Sequence, residues 1–289
     1  MKNIWVIGAD GCLGLEICEL SNLYPEYEFH FSGYMEINLV NKTEVEKRLL
    51  LKNIDVIINC MENPKYHFPD VDVNLIEGLI ARTTVVIAEL CKKLDIQFIQ
   101  ISTDEVFDGN REDCYGEEMM KRPLSLYGNL KDNLEKILIK ASLDNCMIIR
   151  ASWLYSIYGN NILKNLVQKM RKKEAIYLEK DKISTPTHAW ELAFFIISYC
   201  LRSKQPGTGI YHYRNKGFCS KYEFGKEVQK YLSNSCEIIP VESQEGWCLE
   251  EMSYTRILNN SRLTRKFGYK TTHWKEGVER CMLLMANKI

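Results

Sequence analysis

The amino-acid sequence predicts an α/β fold, a doubly wound parallel sheet with a smaller C-terminal lobe. Short apolar runs alternate with longer helical patterns through the first half of the chain, which is the pattern of repeated β-α-β units. Most of these runs are continuously apolar, as expected of strands that are buried on both faces of a parallel sheet. A glycine-rich segment follows the first run, where a strand would turn tightly into a helix.

The elements of the first half follow from this alternation. Each apolar run has four to six residues, a typical strand length, and each is followed by a stretch with helical periodicity. The predicted strands span residues 4–7, 28–31, 55–59, 96–101 and 146–150. The predicted helices span residues 13–22, 43–51, 74–94 and 124–141.

The pattern loosens after about residue 152. Helical patterns occur at 161–172, 190–201, 222–232 and 274–286, with short apolar runs at 210–213 and 237–241. No linker rich in Pro, Gly or Ser separates the two parts. We therefore expect a first domain of residues 1–152 and a smaller lobe of residues 153–289, some elements of which return to the first domain.

Composition excludes several classes of protein. Lys and Arg together number 38, as do Asp and Glu, so the formal net charge of zero argues against a general nucleic-acid binder. The 11 cysteines contain no C-x-x-C pair, which fits neither a disulfide framework nor a zinc site and favours a reducing cytoplasm. No stretch approaches the roughly 18 apolar residues of a membrane span, and the N-terminal apolar run is too short for a signal peptide.

The glycine-rich segment after the first predicted strand has the spacing G-x-x-G-x-x-G. Such glycines allow a tight turn, close approach of a pyrophosphate to the backbone, and close packing of helix on strand. The N–H groups at the start of the helix would then face the phosphates. The segment predicts a Rossmann-like site for NADPH or NADH, held by Gly8, Gly11, Cys12, Leu13 and Gly14.

The second predicted strand bears on the choice between the two cofactors. It ends in Ser32, Gly33 and Tyr34, and no acidic residue stands at its tip to bond the ribose 2′-hydroxyl of NADH. No Arg lies close by in the sequence to receive a 2′-phosphate. The choice stays open at this level, with a preference for NADPH as the expectation.

A second pattern suggests catalysis. Tyr127 and Lys131 are four residues apart, which places them one turn apart on one helix face, where an ammonium lowers the pKa of a tyrosine. Ser102 and Thr103 follow the fourth predicted strand, at the sheet edge where ligands bind, and such hydroxyls can hydrogen-bond a carbonyl oxygen. The spacing alone is also typical of a solvated helix face, but the combination predicts Thr103, Tyr127 and Lys131 as catalytic residues.

Longer stretches of the sequence resemble a known protein superfamily. Residues 8–14, 102–109, 123–131, 150–155, 159–161, 184–187 and 209–212 together resemble the extended short-chain dehydrogenase/reductase superfamily. Within it, the chain is most similar to the dTDP-4-dehydrorhamnose reductase family, which acts in dTDP-rhamnose biosynthesis. The resemblance covers nearly the whole chain. It implies reduction of the C4 keto group of a nucleotide-activated 6-deoxy sugar by NADPH or NADH.

The resemblance also implies residue roles. Thr103 would orient the sugar carbonyl, Tyr127 would protonate its oxygen, and Lys131 would bind the nicotinamide ribose. Ser102 would lie beside the cofactor. The nucleotide-sugar side would be formed with Asp104, Arg150, Trp153 and Asn161.

Some features depart from the family pattern. Residues 61–64 are bulkier than the family's third-strand motif, Glu105 replaces a tyrosine, and no R-P-x-x-S pattern surrounds Arg256. These changes leave open an alternative, a catalytically degenerate dinucleotide-binding subunit that regulates another enzyme.

Some family members dimerise around Mg²⁺. Glu16 and Glu191 match two of its carboxylate positions, but without a third ligand we do not expect a metal, and a homodimer stays open.

Overall fold

The described part of the molecule covers most of the chain. The structure, a computed structural model, describes residues 1–33, 38–61, 73–111, 113–173, 175–202, 208–232, 236–243 and 255–286, without the side chains of residues 73–77. The departure from the family pattern at residues 62–64 lies outside these ranges, as does Tyr34.

Strands and helices alternate along the chain as the sequence predicts. The strands are β1 (Lys2–Ile7), β2 (Tyr27–Ser32), β3 (Val56–Asn59), β4 (Gln97–Thr103), β5 (Cys146–Ala151), β6 (Leu154–Tyr155), β7 (Ile176–Glu179), β8 (Ile183–Ser184), β9 (Thr187–His188), β10 (Gly209–Tyr213), β11 (Cys219–Ser220), β12 (Ile238–Val241) and β13 (Thr255–Arg256). The helices are α1 (Cys12–Ser21), α2 (Lys42–Leu51), α3 (Val73–Leu94), α4 (Leu126–Ala141), α5 (Ile162–Arg171), α6 (Ala189–Phe195), α7 (Lys221–Gln229), α8 (Ser261–Phe267) and α9 (Trp274–Ala286).

The central sheet is parallel and has the strand order β10-β5-β4-β3-β1-β2. The chain leaves β1 toward β2 on one side and then returns to β3 on the other side. The order of strands therefore reverses between β1 and β3, and ligands of open α/β sheets bind at such a point, beyond the carboxyl ends of the strands. The predicted doubly wound, Rossmann-like fold is confirmed.

Helices cover both faces of the sheet. On β1, Ile4 and Val6 point to a core shared with α1 and α6, whereas Trp5 and Ile7 point to a core shared with α2 and α3. All four side chains are at most 1% exposed, which explains why residues 4–7 of the strand are all apolar instead of alternating with polar residues.

The second half of the chain builds a smaller layer and also returns to the sheet. α5, α7 and α9 pack around the parallel pair β7 and β12 in a core of their own. β10 instead joins the edge of the central sheet beside β5, and α6 packs on α1. Elements after residue 152 thus complete the first domain, and the boundary at this residue stays a prediction.

Two helices differ from the sequence prediction at their ends. The predicted helix 190–201 is α6 followed by a π-helical turn at Ile196–Cys200, a widening that apolar periodicity does not reveal. α4 begins at Leu126 and not at residue 124, because the Ser125 hydroxyl accepts a hydrogen bond from the Gly128 amide and caps the helix. Across the described ranges, the helices are too short or too polar to cross a membrane.

Candidate active site

A cavity of about 490 Å³ opens at the carboxyl ends of the central strands. Residues following β1, β3, β4 and β5 form its floor, and residues of α5, β7, β8 and β13 form the opposite wall. This places the cavity at the reversal point of the strand order and within the size range of small-molecule sites.

The glycine loop at one end of the cavity has the geometry of a phosphate cradle. Gly8 has φ of +77°, and a Cβ on it would lie 2.8 Å from the Met61 amide nitrogen. A Cβ on Gly14 would collide with the Gly8 carbonyl oxygen. Gly11 precedes α1, and no side chain caps the helix, so the N-terminus of α1 can face an anionic ligand. The loop therefore fits a dinucleotide.

Replacing Gly11 with valine should abolish dinucleotide binding and leave the fold intact. The backbone of Gly11 has φ of −79° and ψ of 172°, which any residue adopts, so a side chain there obstructs the pyrophosphate without straining the chain. Calorimetric titration with NADH and NADPH would measure the loss. Gly116→Val is the matched control, because a Cβ there meets no atom within 4 Å. Unchanged cofactor affinity in Gly11→Val would contradict the assignment of the loop.

Tyr127 and Lys131 both line the cavity. Lys131 is only 3% exposed, and its Nζ donates to the carbonyl oxygens of Met61 at 2.9 Å and Ile101 at 3.0 Å. The same Nζ lies 5.5 Å from the centre of the half-buried Tyr127 ring, a cation–π distance. The ammonium is therefore fixed beside the phenol, as the four-residue spacing predicts.

Gly128 allows the close approach of α4 to the preceding turn. A Cβ on Gly128 would collide with the carbonyl oxygen of Glu105, which lies in the 3-10 turn Asp104–Val106. The Glu105 carboxylate in turn accepts from the Ser125 hydroxyl at 2.5 Å. The acidic residue that departs from the family pattern thus anchors the N-terminus of α4, where negative charge is favourable, next to Tyr127.

Ser102 and Thr103 also line the cavity, but both hydroxyls have protein partners. The Thr103 Oγ1 accepts from the Glu105 amide at 3.2 Å and caps the 3-10 turn. The Ser102 hydroxyl donates to Glu135 at 2.6 Å. The Thr103 hydroxyl donates its one proton to Asp104 at 3.3 Å. It can therefore bond a carbonyl oxygen of a ligand only by turning this proton away from Asp104, while its oxygen still caps the turn.

Asp104 lies in the cavity wall as a buried carboxyl. It accepts from the hydroxyls of Ser152 at 3.0 Å and Ser184 at 2.9 Å. Burial raises the pKa of Asp104, although Arg256 and the hydroxyl donors act in the opposite direction. Arg256 lines the same cavity, although it comes from β13, about 150 residues further along the chain, and no sequence pattern marks it as a site residue.

Arg150 is the main correction to the sequence analysis. It was expected beside the nucleotide sugar, but it is 1% exposed and is not among the residues that line the cavity. Its guanidinium forms a two-pronged ion pair with Glu135, at 2.9 Å and 2.7 Å. Burial would raise the pKa of Glu135, but the hydrogen bonds and charge of Arg150 hold it below its ordinary value. The buried Arg150 side chain therefore stabilises the packing of α4 against β5 of the central sheet.

Trp153 and Asn161 both line the cavity, but their side chains differ in how many protein hydrogen bonds hold them. Trp153 is half-buried and packs against Phe224 with ring centres 5.6 Å apart. Asn161 caps α5 by accepting from the amides of Leu163 and Lys164, and its own amide donates to the carbonyls of Ser156 and Tyr158. The Asn161 side chain is thus bonded to backbone groups of its own loop and of α5, whereas the half-buried Trp153 ring offers a surface that a ligand can contact.

Glu16 and Glu191, the two carboxylates considered for Mg²⁺, are both buried and bonded to protein groups. Glu16 accepts from the Ser156 hydroxyl. Glu191 accepts from the Thr272 amide at 2.8 Å, the Thr272 hydroxyl at 2.6 Å and the Tyr269 hydroxyl at 3.1 Å. Within the described ranges, no three His, Cys, Asp or Glu side chains converge as metal ligands. The donors around Glu191 do not fit a cation.

Comparison with known proteins agrees with this geometry. The family described as "RmlD substrate binding domain" matches residues 1–286. The chain is 27% identical to the spore coat polysaccharide biosynthesis protein SpsK of Bacillus subtilis, with 96% of each chain covered. It is 24% identical to a dTDP-4-dehydrorhamnose reductase of Aggregatibacter actinomycetemcomitans, over 96% of this chain and 98% of the relative.

Solved structures show the same relationship. A dTDP-4-dehydrorhamnose reductase from Clostridium acetobutylicum superposes with a TM-score of 0.88 at 26% identity, covering 98% of this chain and 99% of the other. The enzyme of the same name from Bacillus anthracis, solved in complex with NADP, gives 0.86 at 26% identity with the same coverage. The resemblance inferred from the motifs is confirmed, and the chain belongs to the RmlD substrate binding domain family.

Proposed function

We propose that the protein is an NAD(P)H-dependent reductase that converts dTDP-4-dehydro-L-rhamnose into dTDP-L-rhamnose. The observation that carries the proposal is that Thr103, Tyr127 and Lys131 line one cavity with Cys12 and Leu13 of the glycine loop. A proton donor, a cation and a hydroxyl thus lie in the same space as a cradle for pyrophosphate. The relatives named for this reaction extend over nearly the whole chain.

The chain's own residues would move one proton and orient one oxygen. Bound nicotinamide would supply the hydride to the carbonyl carbon of the sugar. Tyr127 would donate its phenolic proton to the carbonyl oxygen, so that a hydroxyl replaces the keto group. Thr103 would hold that oxygen by a hydrogen bond, and the Lys131 ammonium would stabilise the phenolate that Tyr127 leaves behind.

The charge of the cavity supports a diphosphate-linked sugar. Its cationic side chains outnumber its carboxylates, Asp104 and Glu105. The cations are Lys131, Lys169, Lys182, Lys221 and Arg256. Lys182 and Lys221 both bridge to Glu179 at 2.7 Å, which fixes two ammonium groups at the end of the cavity formed by the second lobe. A nucleoside diphosphate at that end would point its sugar toward Tyr127.

A direct assay tests the proposal. Purified protein would be incubated with NADPH or NADH and a panel of dTDP-4-keto-6-deoxy sugars, while the loss of absorbance at the nicotinamide band is followed and the product is identified. We expect oxidation of the cofactor with the dTDP-linked sugar and not with a UDP-linked analogue of the same ring. The regulatory alternative predicts cofactor binding without turnover of any keto sugar.

Lys131→Met should impair both turnover and cofactor binding. The substitution removes the ammonium beside Tyr127 and its hydrogen bond to the buried Met61 carbonyl, a loss of about 1–3 kcal/mol. The Ile101 carbonyl loses the same donor but still accepts from the Gln100 side-chain amide at 2.8 Å. We expect kcat to fall by at least about 10² and the Kd for cofactor to rise. Steady-state kinetics and calorimetric titration measure the two effects. Lys136→Met, an exposed change on the same helix, should alter neither value.

A further inference from the structure

The structure places a carboxylate at the tip of β2, although the strand itself supplies none. The amides of Gly8 and Ala9 donate to the Ser32 carbonyl at 2.9 Å and 3.1 Å, which fixes the glycine loop against the end of the strand. A Cβ built on Gly33 would lie 3.3 Å from Oδ2 of Asp10. Because Gly33 has no side chain, the exposed Asp10 side chain lies directly beside its backbone.

This position has a defined chemical meaning in a dinucleotide-binding fold. The tip of the second strand lies beside the adenosine ribose, and an acidic group there accepts hydrogen bonds from the ribose hydroxyls of NADH. A carboxylate at the same place repels the 2′-phosphate of NADPH, because like charges at a few ångströms destabilise each other even near a protein surface. Asp10 therefore lies where the two cofactors differ.

One positive charge also lies near the tip of β2. Arg48 of α2 donates from Nη2 to the Ser32 hydroxyl at 3.0 Å, and its guanidinium carbon lies 5.1 Å from the centre of the Trp5 ring. The same hydroxyl accepts from the Trp5 indole at 2.9 Å. These contacts hold the half-buried guanidinium against the strand, whereas Asp10 is exposed next to Gly33. The carboxylate is thus the better placed of the two charges to meet a ribose substituent.

We propose that Asp10 determines cofactor specificity and makes the protein prefer NADH. The carboxylate accepts from the adenosine ribose hydroxyls of NADH and disfavours the 2′-phosphate of NADPH. The proposal rests on the proposed function in one respect, that the glycine loop binds a nicotinamide dinucleotide. It reverses the preference expected from the sequence, because, among the residues that the structure describes, the glycine loop brings an acidic group to the strand tip.

Calorimetric titration of the wild type and three variants with NADH and with NADPH tests the proposal. We expect the wild type to bind NADH at least about tenfold more tightly than NADPH. Asp10→Asn should reduce this ratio by at least about tenfold, chiefly by tightening NADPH. Glu28→Gln is the matched control, because it removes a carboxylate from β2 about 16 Å from Gly33, and it should leave the ratio unchanged.

Several outcomes would overturn the proposal. A wild type that prefers NADPH, or an Asp10→Asn ratio equal to that of the wild type, shows that Asp10 does not set the choice. If Arg48→Gln shifts the ratio and Asp10→Asn does not, the guanidinium is the determinant. Failure of the wild type to bind either cofactor overturns the proposed function itself, and this inference with it.

Discussion

Replacing Tyr127 with phenylalanine should lower kcat by about 10²–10⁴ and leave cofactor affinity near the wild-type value. The substitution removes only the hydroxyl that would donate the proton. The ring keeps its place on α4 because Gly128 and the Ser125 cap position the first turn of the helix. Lys131 keeps its bonds to the carbonyls of Met61 and Ile101, so the cofactor side of the cavity is unchanged.

Steady-state kinetics with the dTDP-linked sugar, combined with cofactor titration, would measure the effect of this substitution. Tyr177→Phe is the matched control, since that tyrosine is 65% exposed on β7 and loses the same hydroxyl. Full activity of Tyr127→Phe would remove Tyr127 from the chemistry. A wild type that binds cofactor but reduces none of the keto sugars would favour the regulatory alternative.

Arg150→Met should destabilise the fold by about 3–5 kcal/mol, because it leaves the buried Glu135 carboxylate without its main partner. Lys121, which lies 2.9 Å from the same carboxylate, remains and should keep the loss toward the lower end of this range. The lost contacts also include the Glu117 carbonyl and His212 on β10. The variant should therefore loosen the junction of β5 and β10 along with α4.

Urea unfolding followed by fluorescence would give the free energies of unfolding. Lys42→Met breaks an ion pair with Glu89 in which both side chains are more than half exposed, and we expect a change below about 1 kcal/mol. A loss in Arg150→Met no larger than in this control would mean that the buried pair contributes no more than an exposed one. A stable but inactive Arg150→Met would return Arg150 to the substrate site.

The elements that the sequence predicted well are those whose burial leaves a local signal. β1, β3, β4 and β5 lie inside the sheet, so each contains a run of buried apolar residues, and the observed strands match the predicted runs to within one or two residues. Four-residue spacing likewise predicted that Tyr127 and Lys131 lie together, because a helix converts that spacing directly into proximity.

Residues whose environment is set by distant chain segments were harder to predict. The family resemblance assigned Arg150 to the substrate side, and no local pattern joins Arg150 to its partner Glu135 on a different element. Arg48 and Asp10 reach the tip of β2 from an adjacent helix and from the glycine loop, so inspection of the residues after β2 missed both. Arg256 reaches the cavity from β13 for the same reason.

The position of β10 has a consequence for how the protein is made. β10 covers the outer edge of β5, and Leu192 and Phe195 of α6 close the core beneath Ile4. A nascent chain that has left the ribosome only as far as residue 152 presents an open strand edge and an uncovered apolar face, two features that promote aggregation. We therefore expect a fragment that ends at residue 152 to aggregate, which light scattering of the fragment beside the full chain would measure.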